Sequence, residues 1–249
     1  MKLLIIVLCL LSERFLVHSL SHNRFYWFSS YYNALSQRFP KEGGMAHPGL
    51  LIMAILLPIL FICWLVLFIF GHLFYGFIGL LLNLAIFYYC LGPENPFYPV
   101  RQENEGDEEA VAGNYFVKAN NELFGVVFWY IVAGPLAILV YRLVSLCKGQ
   151  EKTAKLAQWL TNLFDWIPAR ITVLLYLLVG NFQRGFRFYI QMFFAAPENN
   201  DSLLSQGGLL AAHNSENESV QLPYAESLVE HALIVFLVFV AVFTLGAWL

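Results

Sequence analysis

The chain has 249 residues, of which 59% are hydrophobic and only 12% charged; a soluble domain carries about 25% charged residues. That shortage of charge excludes an ordinary water-soluble globular domain and calls for a non-aqueous solvent. A formal net charge of −3, with no block of five or six basic residues, excludes the electrostatic footprint of a nucleic-acid binder, so no nucleic-acid partner is expected.

The first element, residues 3–20, is apolar but interrupted by Glu13-Arg14. It can span, tilt or lie in the interface. Lys2, the apolar run and Val17-His18-Ser19 also compose a signal peptide, although Glu13-Arg14 fall where such a signal stays apolar. A charge at the centre of a membrane helix costs about 2.5–3.5 kcal/mol even on the lenient scale, which makes Glu13 and Arg14 intramembrane site candidates. An interfacial helix end with both side chains in water is the alternative. Residues 21–48 follow, mildly basic through Arg24, Arg38 and Lys41, with the cluster Phe25, Tyr26, Trp27, Phe28, Tyr31 and Tyr32 that belongs at a membrane surface.

From Gly49 to Gly92 there is no Asp, Glu, Lys or Arg over 44 residues. A hydrocarbon core about 30 Å thick takes roughly 20 helical residues, so this run predicts spans at 49–70 and 73–92 with a turn at Gly71-His72. Pro58 should kink the first. Residues 93–122 form an acidic loop with Glu103, Glu105, Asp107, Glu108 and Glu109, helical from Gly106 on. Its carboxylates are either a solvated run or a Mg²⁺ site used with a phosphate substrate.

The next span, 123–142, should bend at Gly134-Pro135 and end at Arg142, whose side chain can snorkel to the headgroups. Residues 151–164 place Leu156, Ala157, Leu160, Leu163 and Phe164 on one helical face and Lys152, Lys155, Gln158 and Asn162 on the other, an amphipathic interfacial helix. A second uncertain span covers 168–190. The stretch 197–228 is a polar connector that can hold a short apolar helix around Leu203, Leu204, Leu209 and Leu210, and a final span covers 231–249. The expected architecture is therefore all-α: a polytopic helical integral membrane protein with four to six membrane helices plus interfacial amphipathic helices, in a single membrane domain 1–249. Basic residues occur on both sides of these spans, so orientation stays open.

Cys9, Cys63, Cys90 and Cys147 lie in or beside apolar runs without a CxxC pair, the setting of buried inert thiols. The six histidines have no metal-ligand spacing, so no metal site is expected there. No G-x-x-x-x-G-K-[ST], G-x-S-x-G or H-E-x-x-H occurs.

Two segments are more specific. Ala119-Asn120-Asn121-Glu122-Leu123-Phe124-Gly125-Val126-Val127-Phe128-Trp129 continues to Gly134-Pro135 and Tyr141-Arg142. Asp165-Trp166-Ile167-Pro168-Ala169-Arg170-Ile171-Thr172 continues to Gly180-Asn181-Phe182. Each sets polar groups at the mouth of an apolar helix. Asp165 is placed to cap a helix start, with Pro168 tolerated in its first turn. Asn120, Glu122, Arg142, Asp165 and Arg170 form the candidate polar ligand site, either a structural ion-pair network or a site for a small anionic ligand.

These two segments resemble the AmpE/CobD/CbiB membrane protein family, whose members carry an Asn/Glu-containing segment, FW, GP, YR and then W-I-P-A-R-[IL]-T. The likeness is strongest over residues 105–185. The short length and acidic mid-loop favour its AmpE branch. That branch implies a bacterial inner-membrane, multi-pass regulatory or sensory protein linked to β-lactamase induction and cell-wall stress signalling, without a cofactor. Its partners would be membrane lipid and a small anionic ligand or a protein of cell-wall recycling. The CobD/CbiB branch implies instead a membrane ligase that joins a carboxylate to an amino alcohol in cobalamin biosynthesis, with Mg²⁺ and a nucleotide. No catalytic residue is assigned by the motifs, and enzyme or regulator stays open.

Overall fold

The structure, a computed structural model, describes residues 2–15, 24–38, 47–71, 76–92, 108–213 and 219–246. All regular elements among them are helical. They are α1 (Lys2–Phe15), α2 (Tyr26–Ser36), α3 (Pro48–Phe70), α4 (Phe77–Cys90), α5 (Glu108–Ala119), a π-helical turn (Asn120–Phe124), α6 (Gly125–Ala133), α7 (Pro135–Cys147), α8 (Ala154–Val179), α9 (Phe182–Met192), a 3₁₀ turn (Pro197–Asn199), α10 (Asn200–Ala212) and α11 (Leu222–Gly246). Three are long and apolar enough to cross a membrane: Pro48–Phe70, Ala154–Val179 and Leu222–Thr244. Phe77–Cys90 and Pro135–Cys147 are shorter apolar helices. Glu103, Glu105 and Asp107 of the acidic loop, the turn residue His72 and the final residues 247–249 lie outside the described residues.

The chain forms two compact units, Met1–Pro93 with Val126–Phe164, and Glu94–Gly125 with Asp165–Leu249. In the first unit the charge-free run builds α3 and α4. α3 starts with His47 accepting from the Gly49 amide and Pro48 in the first turn, where a missing N–H costs nothing. The two helices approach so closely that a Cβ on Gly79 would sit 2.4 Å from the Gly71 carbonyl oxygen. α2 packs Phe28 and Tyr32 inward, and the Tyr31 hydroxyl donates to Ile55 O at 3.3 Å; burial raises the Tyr31 pKa above its ordinary value, so it donates as a neutral phenol.

The span anticipated at 123–142 is interrupted. Gly134 has φ 83° and ψ −164°, a region open essentially to glycine, so α6 ends and α7 begins with Pro135. The loop after α7 is closed by Thr153, whose hydroxyl donates to Cys147 O at 3.0 Å.

α8 revises the expected helix start at Asp165–Pro168. It is one helix of 26 residues with Pro168 inside it, so Asp165 caps nothing and the interfacial helix and the next span are a single element. Its buried line also differs from the apolar face expected for 151–164. Thr153, Ala157, Thr161 and Asp165, spaced by four, are buried, whereas Trp159, Leu163 and Ile167 are exposed. The expected polar residues Lys152, Lys155 and Gln158 are exposed and Ala157 is buried as anticipated; the revision is that Thr161 and Asp165 are covered while Leu163 faces outward, where an apolar side chain loses nothing in hydrocarbon.

In the second unit the chain folds back on α8. The Gly180 amide closes α8 onto Tyr176 O and the Asn181 amide donates to Ala211 O, both at 2.8 Å; the Asn181 side chain then caps α9 at the Arg184 amide. α9 runs antiparallel to the end of α8, and α10 returns parallel to it, with Gly207 against Val173 and Gly208 against the Phe116 ring. The polar connector at 197–228 is thus partly α10, with Leu203, Leu204, Ala211 and Ala212 buried. α11 begins at Leu222 instead of near His231 and packs Phe236 6.1 Å from Phe124. Glu226 and Glu230 therefore ride on this helix.

Candidate functional site

Asn120 and Glu122 sit on the π-helical turn between α5 and α6. A π-turn widens the helix by one residue and is found mostly at functional positions. Both side chains are buried, at 0% and 9% exposure. Asn120 Oδ1 accepts from the Thr172 hydroxyl at 2.9 Å, which ties the turn to α8. The Asn120 amide nitrogen donates to Asn121 Oδ1 at 3.3 Å. One turn before, Phe116 O accepts from the Tyr176 hydroxyl at 3.5 Å, and the Phe116 and Tyr176 rings lie 5.0 Å apart.

Asp165 is 4% exposed on the buried line of α8, two turns from Thr172. Asn120, Glu122, Asp165 and Thr172 thus give the second unit a set of buried polar groups on the π-turn and α8. Thr172 closes the W-I-P-A-R-[IL]-T segment but was not counted among the candidate site residues, because by itself it looks like an ordinary residue of an apolar span.

Arg170 belongs to the same unit but is engaged differently. Its Nε donates to Phe193 O at 2.9 Å, Nη1 to Trp166 O at 2.8 Å and Asn200 Oδ1 at 2.7 Å, and Nη2 to Ala195 O at 2.8 Å. The guanidinium stacks 4.3 Å from the centre of the Trp166 ring, whose N–H donates to Ala195 O at 3.0 Å. Four of its five N–H donors are used: three hold the turn that leads from α9 to α10, at Phe193, Ala195 and Asn200, and one returns to Trp166 O on α8. The cation also lies where the C-terminus of α9 exposes unpaired carbonyls, a placement favoured by the helix dipole. Asn200, the side-chain acceptor, carried no signal in the sequence because it sits in a run of polar residues.

Arg142, Glu13 and Arg14 lie in the first unit. Glu13, 3% exposed, forms a buried ion pair with Arg24, an interaction the adjacent Glu13-Arg14 in sequence did not suggest. Arg24 also donates to Tyr88 O at 3.0 Å and Leu91 O at 3.5 Å and lies 4.4 Å from the Tyr88 ring centre. Its only signal in the sequence was a lone cation at the head of an aromatic cluster. Arg142 is 3% exposed and its Nε donates to Cys90 O at 2.9 Å.

Among the described residues, no group of three His, Cys, Asp or Glu side chains comes together as a metal site. Cys9, Cys90 and Cys147 are buried and all four thiols are free.

Helices of this length and apolarity, with polar groups gathered inside and large apolar side chains outside, define an α-helical membrane protein. In sequence the chain is similar to the "Cobalamin biosynthesis protein CobD" of Stutzerimonas stutzeri (strain A1501), with 26% identity over 93 residues. The similarity covers 34% of this chain and 31% of that protein, so the chain matches about a third of the relative's length. No family model matches, and no solved structure matches.

Proposed function

We propose that this chain is a multi-pass bacterial inner-membrane protein of the CobD/CbiB type, a ligase that forms an amide bond between a carboxylate and an amino alcohol in cobalamin biosynthesis. The observation that carries this is buried Asn120 on the π-turn bonded to buried Thr172 on α8, with Glu122 buried on the same turn and Asp165 buried on α8 two turns before Thr172. Polar groups are expensive in a membrane interior and persist there mainly where a ligand or a reaction uses them. The similarity to a cobalamin biosynthesis protein supports the same direction.

Amide formation needs an amine nucleophile held neutral and oriented, and a leaving group on the carboxylate. In this proposal Glu122 and Asp165 take up the amine proton and orient the amino alcohol, while Asn120 and Thr172 hold the turn in shape. Mg²⁺ and a nucleotide would supply activation of the carboxylate. The described residues offer no metal-ligand group, so no step is assigned to that ion.

The test is complementation of a bacterium lacking its CobD/CbiB protein. The wild-type chain should restore cobalamin-dependent growth, Glu122→Gln should abolish it with unchanged membrane abundance, and failure of the wild-type chain would overturn the proposal.

A second reading is an AmpE-type regulator that senses cell-wall or antibiotic stress. It is favoured by the way Arg170, the arginine of the W-I-P-A-R-[IL]-T segment, commits its donors to the fold. A motif that fixes architecture serves a regulator as well as an enzyme. On this reading deleting the gene changes β-lactamase induction; unchanged induction together with growth rescue in the complementation assay would exclude it.

A further inference from the structure

We propose that the C-terminal end of α4 in the first unit binds a phosphate group, carried by a lipid headgroup or by a soluble phosphate, through the guanidinium of Arg142. The site goes beyond the amide-forming proposal, because it uses none of the polar groups around the π-turn.

Three charged side chains are buried at this end. Glu13 and Arg24 form an ion pair and offset each other. Arg142 does not share that carboxylate: its Nε is spent on Cys90 O, and its Nη2 is buried without a hydrogen-bond partner among the described residues. The C-terminal dipole of α4 offsets part of the charge, but its carbonyls are already in use, with Arg24 on Tyr88 O and Leu91 O. A buried charged donor left unmade is more costly than a neutral one. A planar guanidinium fork with a free Nη edge matches two oxygens of an oxyanion.

The surroundings favour phosphate. Phe25 packs 4.9 Å from Tyr89, the Trp27 N–H donates to the Tyr89 hydroxyl, and that hydroxyl donates to Arg24 O. Tyr88 lies under Arg24. Tryptophan and tyrosine concentrate at the headgroup level of a bilayer, the layer where phosphate oxyanions are most abundant. The aromatic cluster and the unfilled guanidinium thus attach to one stretch of backbone, Tyr88 to Leu91 at the end of α4.

The experiment follows thermal unfolding of the full chain in dodecyl maltoside with inorganic phosphate, with dioleoyl phosphatidylglycerol, or with dioleoylglycerol, which lacks phosphate. At least one phosphate-bearing probe should raise Tm and dioleoylglycerol should not. A shift with inorganic phosphate identifies a soluble ligand, and a shift with the phospholipid alone identifies a headgroup. Arg142→Gln should remove the shift, whereas Arg187→Gln on α9 should keep it. If Arg142→Gln does not fold, Arg142→Lys retains the charge without the fork and should weaken the probe about tenfold. No shift with either phosphate probe, an equal shift in Arg142→Gln, or undiminished affinity in Arg142→Lys would overturn the proposal.

Discussion

Arg170 and Asn120 set out the residue-scale argument, because each joins segments far apart in the chain. Arg170→Lys keeps a cation but cannot reach three carbonyls and an amide oxygen at once. The expected loss is on the order of 3 kcal/mol, since hydrogen bonds to charged groups are individually worth about 1.5–3 kcal/mol and acceptors are left unmet. Denaturation in mixed micelles should report it, and a change below about 0.5 kcal/mol would contradict the clamp. For Asn120 and Thr172, a double-mutant cycle with Asn120→Ala and Thr172→Val should return about 0.6–1.7 kcal/mol, the range of interhelical hydrogen bonds in membranes. These two pairings also show what stayed hidden in the chain. The W-I-P-A-R-[IL]-T segment marked Arg170 as special, yet its acceptors lie on backbone 23 and 25 residues away and on an asparagine in a polar run. A carbonyl has no signature in a sequence.

At the scale of elements, the hinge glycines decide where helices stop and how near they come. A Cβ at Gly180 would lie 2.2 Å from Ala211 O, and one at Gly208 2.4 Å from the Phe116 ring. Gly180→Ala meets backbone that cannot swing aside, so it should destabilise the second unit by about 1–3 kcal/mol, the usual range for overpacking. Gly208→Ala meets a side chain and should cost less. Thermal unfolding of the two variants side by side checks the order. The same scale explains the uneven success of the periodicity. α3 and α4 were legible because a charge-free run of that length has one physical outcome in a bilayer. α8 was divided in two because Asp165 and Pro168 look like a helix start, whereas a proline can sit inside a membrane helix when neighbours cover the freed carbonyl. α10 and the start of α11 were obscured by polar residues, of which Asn200 is buried while Asp201, Gln206 and Ser227 stay exposed.

For the whole molecule, the distribution of surface is the telling property. Leu57, Phe61, Trp64, Phe68, Ile234, Val238 and Phe243 are exposed on long helices, while Glu13, Asn120, Asp165 and Arg170 are buried. Water would not stabilise that arrangement and hydrocarbon does. The protein should therefore stay with membranes through alkaline carbonate extraction, and its release into the soluble fraction would refute the membrane assignment. Thiol accessibility offers a second check: in detergent, maleimide should modify half-buried Cys63 well before Cys9, Cys90 and Cys147, which are buried.

The amino-acid sequence by itself determined the solvent, the helical class and the segments worth attention, because composition and charge-free length act locally and need no partner to be read. Only the tertiary structure decided what the charged residues do. It paired Glu13 with Arg24, turned Arg170 into a clamp, set Asn120 on a π-turn against Thr172 and left a buried edge of Arg142 open. The reason is physical: the value of a charge in a low-dielectric interior depends on the acceptors within about 3 Å, and those come from backbone and side chains that only folding brings near.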